Sequence, residues 1–360
     1  MRIVFLSTSV GPLGSGIGGG VELTLRTLAA GLTRRGHEVT VVAPRGSVLA
    51  LPEHESLHLV EVDGELHVPS QTLDRTTPLV VPENSVLVNM WQTVTRLAAG
   101  KAHDVVLNFS YDAHPFLHAT ESSVPVAHLI SMGSLSDEMD RAVLAAVRTV
   151  PQSVAMHSRA QARTFGSEVS AATTIVASGV DVAAYDFVAN PTDDLALVAR
   201  ISREKGIVDA FEVSQRSGRR LRVFGVMEED AAWREAVARH PQARVEHVGF
   251  LPTHELQAQL GTCAALIMVH HWVEAFGNVA IEALACGVPV ITYDRGGPVE
   301  IVRDGVTGFV VPADQPAMVA EAVAKIGSID RARCRAEAQE VFSASAFSER
   351  VEDWLGRLLR

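Results

Sequence analysis

Apolar runs of strand length alternate with segments of helical period almost from end to end of the chain. Residues 3–7 read as a buried strand, and a glycine-rich loop follows at 11–20. Val21, Leu25, Leu28 and Leu32 then recur at helical spacing, and Gly36 stands where a helix stops. Residues 38–43 form the next strand, which completes a βαβ unit and implies a parallel sheet. From about 46 to 100 the pattern is irregular and rich in Pro, Thr, Glu and His, so loops and one or two helices are expected. Strands resume at 104–109, 124–130 and 153–156, with a helix at 136–150 ended by Pro151. A second series places strands at 195–199, 221–224, 245–248, 264–269, 288–292 and 308–311, with helical segments between them.

Two such series in 360 residues predict an α/β protein of two doubly wound, Rossmann-like domains facing each other across a cleft. The segment 185–192 reads as the linker, dividing the chain into 1–185 and 186–343, with a terminal helix in 344–360. Ligands in such sheets bind beyond the carboxyl ends of the strands. A hydrophobic content of 47% excludes a disordered chain. The net charge of −11 argues against nucleic acid, which needs a basic surface. The run 263–269 is too short to span a bilayer, the first residues are too short an apolar run for a signal peptide, and no polybasic segment would hold a membrane. Cys263, Cys286 and Cys334 show no metal or disulfide spacing. A cytoplasmic protein is expected, with homo-oligomerisation left open.

Three segments carry candidate chemistry. Gly14-Ser15-Gly16-Ile17-Gly18-Gly19 matches a dinucleotide fingerprint, but the loop is long and the second strand ends in Pro44-Arg45, with no acid for a ribose. An NADP oxidoreductase is therefore disfavoured. Six glycines in ten residues instead suit close approach of backbone to a ligand. Arg200, Arg203 and Lys205 cluster at a strand end, where a diphosphate would account for them; an Arg–Glu surface pair is the alternative. Glu274 lies on the loop before a helix, and Glu282 about two turns into it. Free N–H groups at that helix start suit a phosphate, and the carboxylates suit sugar hydroxyls. No metal site is expected. Asp193-Asp194 is no D-x-D motif, His270 and His271 point opposite ways, and His114 and His118 lack a clear third ligand.

Glu274 to Glu282 resembles the E-x7-E signature of the retaining glycosyltransferases of family 4, which have the GT-B fold. The resemblance extends through 283–290, Gly296-Gly297-Pro298-Val299-Glu300 and Asp304-Gly305-Val306-Thr307-Gly308-Phe309. It includes Arg200 with Lys205-Gly206, Gly18-Gly19-Gly20-Val21-Glu22, 35–39 and Gly179-Val180-Asp181, and so covers nearly the whole chain. It implies that the first domain binds an acceptor, the second a nucleotide sugar, and that the last helix crosses back to the first. It also implies roles. Glu282 holds the ribose hydroxyls, and Glu274 holds sugar hydroxyls, helped by N–H groups of Phe276, Gly277 and Asn278 beside Val279. Arg200 and Lys205 neutralise the diphosphate without a metal or other cofactor. Gly19 and Gly20 belong to a loop over the donor phosphate, and the base lies against the loop that contains Phe250. Retention follows if the leaving diphosphate oxygen takes the acceptor's proton.

A narrower resemblance, in 9–16, 108–112 and 127–136, is to UDP-glucose:tetrahydrobiopterin glucosyltransferases. It implies a UDP-sugar donor and a reduced pterin as the small-molecule acceptor, with Asp112 and Glu22 on the acceptor side. Pro125-Val126-Ala127-His128 fits a family pattern, but Ser131 stands where many relatives have a histidine that touches the sugar. His128 then reads either as a buried structural histidine or, with Ser131, as an acceptor-side group. The rival readings are another acceptor or nucleotide sugar, a nucleotide-sugar epimerase of the same fold, and a binding domain without catalysis.

Overall fold

Residues 3–6 are completely buried, because helices cover both faces of the sheet in which they lie, and this explains an unbroken apolar run. The computed structural model describes residues 1–51, 54–78, 80–100 and 102–360; positions 52, 53 and 79 of the irregular stretch lie outside it. The chain divides into one unit of Met1–Ser178 with Ala344–Arg360 and a second of Gly179–Ser343. The sequence division at 185/186 thus falls just inside the second unit.

The first unit contains β1 (Arg2–Leu6), α1 (Gly20–Arg34), β2 (Glu38–Pro44), β3 (Leu57–Val62), α2 (Val86–Ala99) and β4 (Val105–Asn108). It continues with α3 (Ala113–Leu117), β5 (Val126–Ile130), α4 (Asp137–Thr149), β6 (Val154–Met156), α5 (Arg159–Thr164), α6 (Ser167–Ala172) and β7 (Thr174–Ile175). The strands form a parallel seven-stranded sheet in the order β3-β2-β1-β4-β5-β6-β7. The order reverses between β1 and β4, so their carboxyl ends form the crevice where ligands bind in such sheets. The strand β3 replaces part of the loop expected at 46–100. It pairs with β2 along six residues, from Val39 opposite Leu57 to Pro44 opposite Val62.

The second unit contains β8 (Leu195–Val198), α7 (Ile207–Ser217), β9 (Leu221–Phe224), α8 (Asp230–Arg239), β10 (Val245–Gly249) and α9 (Thr253–Gly261). Then come β11 (Ala265–Met268), α10 (Asn278–Ala285), β12 (Val290–Tyr293), β13 (Gly308–Val311), α11 (Pro316–Lys325) and α12 (Arg331–Val341). Its parallel sheet runs β10-β9-β8-β11-β12-β13, and the order reverses between β8 and β11.

The last helix, α13 (Ala344–Leu358), belongs to the first unit and packs on α1. Phe347, Val351, Trp354 and Leu355 share a core with Leu25, Leu28 and Leu32. The close approach needs Gly31, where a Cβ would lie 1.9 Å from Ser348 Oγ. Among the described residues no helix is long and apolar enough to cross a membrane. The three cysteines are buried and free, and burial pushes their thiols up, Cys263 to about 11 and Cys286 and Cys334 to about 12.

Candidate active site

In the second unit the candidate residues gather at the reversal point of the sheet. Arg200 to Lys205 leave the end of β8, and His270 to Gly277 leave the end of β11 and lead into α10. Lys205 Nζ lies 2.9 Å from Glu274 Oε2 and 4.3 Å from the centre of the Trp272 ring. Trp272 Nε1–H donates to the same oxygen at 3.2 Å. Burial pushes the Glu274 carboxyl up, but the Lys205 charge and its hydrogen bond outweigh this and hold it below its ordinary value.

The backbone of the 274–277 loop lies directly against Gly296-Gly297. Gly297 N–H donates to the Glu274 carbonyl at 2.8 Å, and a Cβ on Gly297 would come within 2.5 Å of Phe276 Cα. Gly277 turns the chain into α10 at φ +98°, a conformation that other residues adopt only with strain. Asn278 and Val279 open the helix half-buried. The Phe276 side chain is buried and edge-on to Phe342. Because α10 starts only at Asn278, Glu282 lies one turn in rather than the two expected, and the Tyr185 hydroxyl donates to its Oε1 at 3.0 Å. Burial raises the Glu282 carboxyl to about 7, with the Tyr185 bond opposing that rise.

Arg200 does not join Lys205 on Glu274. Its guanidinium bonds Glu228 and, at 3.4 Å, Glu204. The Arg–Glu surface pair is therefore present, and an anion must compete with two carboxylates for this cation. Phe250 is 68% exposed beyond β10, and Val226 and Met227 are exposed beyond β9. Gly225 N–H donates to the Gly249 carbonyl at 2.9 Å, which sets these two strand ends side by side.

His270 is buried with Nε2 3.0 Å from the Arg295 carbonyl, and burial lowers its pKa. Asp209, His271 and Asp314 each offer one ligand atom within 4.8 Å of the others. These atoms are already engaged: His271 with Asp209, Tyr293 with Asp209, and Arg295 with Asp314. The cation of Arg295 disfavours a metal there. A cavity of about 610 Å³ lies at the opposite, amino-terminal ends of this sheet's strands, where Ala264 and Pro289 precede β11 and β12. It is remote from these residues' strand ends.

In the first unit, Gly19 (φ +56°) caps α1 and Gly20 begins it. Glu22 is buried and curls back on the glycine loop. One oxygen accepts from the N–H groups of Gly14 (2.7 Å) and Gly16 (3.3 Å), and the other from Gly18 (2.7 Å). Asp112 is also committed. It accepts from His114 N–H at 3.1 Å, capping α3, and contacts His67 Nδ1 at 2.8 Å. His67 Nε2 is in turn 2.7 Å from Ser85 Oγ, which caps α2. His128 is buried, stacked on Phe116 at 4.0 Å, and bonded to Asn108 at 3.1 Å. Ser131 Oγ lies 3.0 Å from Nε2 of the buried His157. All four expected acceptor-side residues thus have partners within the protein. Their carboxylates, ring and hydroxyl hold the unit's own loops and strands.

A cavity of about 230 Å³ opens beside them, lined among others by Ser9, Glu65, His67, Val68, Tyr111 and Asp112. The Tyr111 hydroxyl donates to the Gly133 carbonyl and accepts from Leu135 N–H. Glu65 is exposed, with no side-chain partner among the described residues. Neither His67 nor Glu65 was singled out by the sequence. Both lie in the irregular stretch, and no motif marks them.

Residues 188–341 match the family model of Glycosyl transferases group 1, and residues 18–130 that of Glycosyltransferase Family 4. A D-inositol 3-phosphate glycosyltransferase of Nocardia farcinica (strain IFM 10152) is 42% identical over 106 residues, 29% of this chain and 23% of that protein. Glycogen synthase of Mycobacterium tuberculosis (strain ATCC 25618 / H37Rv) is 31% identical over 163 residues, 42% of this chain and 39% of that one. The chain thus spans well under half the length of these curated relatives. The structure of Anabaena HepE in complex with UDP superposes with a TM-score of 0.74 at 18% identity, over 99% of this chain and 100% of that one, which shows the fold. The chain therefore has the GT-B fold, and two of its segments match glycosyltransferase family models.

Proposed function

We propose that the protein is a retaining glycosyltransferase that moves a hexose, glucose first among candidates, from a UDP-sugar to a small-molecule acceptor. The observation that carries this is the Lys205–Glu274 pair beside the start of α10, with Glu282 one turn along the same helix. A cation, a set of helix N–H groups and two carboxylates suit a diphosphate flanked by two polyols. In this reading Lys205 and Arg200 stabilise the charge that grows on the leaving diphosphate, usually the largest catalytic term. The N–H groups at Phe276, Gly277 and Asn278 add the helix dipole. Glu274 orients the sugar hydroxyls, Glu282 the ribose, and the exposed Phe250 the base. The bond from the anomeric carbon to the diphosphate breaks as the bond to the acceptor oxygen forms on the same face. The acceptor's proton passes to the leaving oxygen. These groups supply the positive charge, so the reaction is proposed to run without a metal.

The 230 Å³ cavity of the first unit is proposed to take the acceptor. Glu65 there supports an acceptor bearing N–H donors, and a reduced pterin, with its 2-amino group beside a ring N–H, remains the first to test. Glu22 and Asp112 then act by shaping the cavity wall. The purified protein is incubated anaerobically with UDP-glucose, tetrahydrobiopterin and EDTA, and products are read by mass spectrometry. A pterin heavier by one hexose, formed with UDP, supports the whole reading. Transfer instead to an inositol phosphate or a glucan, the substrates named in the relatives, would replace the acceptor alone. Conversion of UDP-glucose to an isomer without acceptor would favour the epimerase.

A further inference from the structure

We propose that Tyr185 is a positioning residue for Glu282: its hydroxyl holds Oε1 and leaves Oε2 to meet the ribose of the bound nucleotide. The inference rests on the donor site proposed above and adds a residue to it. Tyr185 follows the short turn Val182–Ala184, in the segment that the sequence read as linker. It is instead buried in the second unit, 4% exposed. Arg335 Nη1–H donates to the Tyr185 carbonyl at 2.6 Å and also to the Ala285 carbonyl, the last residue of α10. The phenol is thereby fixed at its backbone to the end of α10 and at its hydroxyl to Glu282.

A half-buried carboxylate with four acceptor sites needs partners. Among the described residues Tyr185 is the one side chain that donates to Glu282, and Oε2 has no partner. A glutamate side chain otherwise has rotamer freedom that must be lost on binding a ligand. One firm bond to Oε1 removes that freedom beforehand and keeps the second oxygen open. The other titratable or charged groups near the pair are Cys286, which caps the same helix, Asp181 and Asp186 on either side of Tyr185 in the chain, and Arg331 and Arg335 from α12. Of these, none hydrogen-bonds the carboxylate.

The test is calorimetric binding of UDP and of 2′,3′-dideoxy-UDP to the full chain and to Tyr185→Phe, from pH 6 to 8.5. Loss of a hydrogen bond to a charged group predicts about tenfold weaker UDP binding at pH 7. The pH at which affinity falls should also move upward, because the lost bond favoured the charged form. Dideoxy-UDP should bind both proteins alike. Equal UDP affinity of the two proteins at every pH would overturn the inference while leaving the donor site intact. An equal loss for dideoxy-UDP would overturn it too, since the effect would then be structural. Failure of the wild-type chain to bind UDP overturns the donor site and the inference with it. If Tyr185→Phe melts early, Glu282→Gln decides: in that background the tyrosine change should cost no further UDP affinity, and an undiminished tenfold loss counts against the proposal.

Discussion

Lys205 and Glu274 meet at 2.9 Å across 69 positions of sequence, and Trp272 touches both, its ring under the ammonium and its N–H on the same carboxylate oxygen. The other oxygen of Glu274 has no partner among the described residues. The pair is half-sheltered, with side chains 16% and 20% exposed, so its charges act in a medium less screening than water. Removing the cation should therefore slow the chemical step more than it weakens binding. Lys205→Ala is expected to lower kcat by about 10²–10³-fold, the range for losing one transition-state donor, with a smaller change in KM for the donor. Lys205→Arg should recover little, because the larger planar guanidinium cannot put its charge where the compact ammonium meets Glu274 Oε2. Initial-rate kinetics decide this, and an unchanged kcat in Lys205→Ala would remove the residue from the mechanism.

Glu22 is expected to govern the order of the glycine loop. Its carboxylate is the common acceptor for three N–H groups, of Gly14, Gly16 and Gly18. A loop so rich in glycine loses much backbone entropy on ordering, and beyond the buried Leu13 few side chains of its own offset that loss. Glu22→Ala should release the three N–H groups and reduce stability by about 1–3 kcal/mol. Amide hydrogen exchange should quicken at Gly14, Gly16 and Gly18 while staying slow in β1. Unchanged protection at those glycines would mean that the loop holds itself.

The raised carboxyl of Glu282 sets opposite pH dependences for folding and for donor binding. Burial lifts its pKa from 4.5 to about 7. The native state then holds this proton more tightly than the unfolded one. The resulting stability is full below about pH 4.5 and is lost as pH rises through 7. Ribose hydroxyls, in contrast, donate to the carboxylate. UDP affinity should fall about tenfold for each pH step below 7 and level off above it. Titration calorimetry between pH 5.5 and 8.5 measures this, and Glu282→Gln should bind UDP weakly with no such dependence. A wild-type affinity flat across that range would contradict the role given to this carboxylate.

The two sheets were legible because their strands are continuous apolar runs, as in residues 3–6 and 265–268. The strand β3 was not. Leu57 to Val62 lies at the sheet edge and turns His58 and Glu61 to solvent, which breaks the run. The segments around Arg200 and Glu274 were legible because their spacing is local: strand end, glycine turn, helix. Tyr185 was read as linker because it stands between the two series of strands, whereas its carbonyl is held by Arg335, 150 positions away. Asp112 follows the carboxyl end of β4, but its capping bond and its contact with His67 arise from packing that no short spacing encodes. Acceptor recognition was for this reason the least legible part of the site.

His128 and His157 should make the first unit sensitive to acid. Burial holds His128 down to about 3. His157 is likewise lowered by burial, to about 4, against a hydrogen bond to the Val176 carbonyl that favours the proton. Both rings are neutral when folded, and in the unfolded chain both protonate near 6.5. The unfolded state thus binds more protons between about pH 6.5 and 4, and stability falls as pH drops through that window. Two such groups give a slope of at most about 3 kcal/mol per pH unit. Glu282 contributes with the opposite sign above pH 4.5, so wild-type melting alone does not isolate the rings. His128→Gln and His157→Gln do, because glutamine keeps a polar group in place and does not titrate. Each variant should be less stable at pH 7.5, owing to altered packing, yet lose less further stability on going to pH 5 than the wild type. Denaturant midpoints at the two pH values provide the comparison. If both variants lose as much as the wild type, the rings are already protonated in the native unit, and a buried imidazolium stacked on Phe116 would need a counter-charge that the structure does not place beside it.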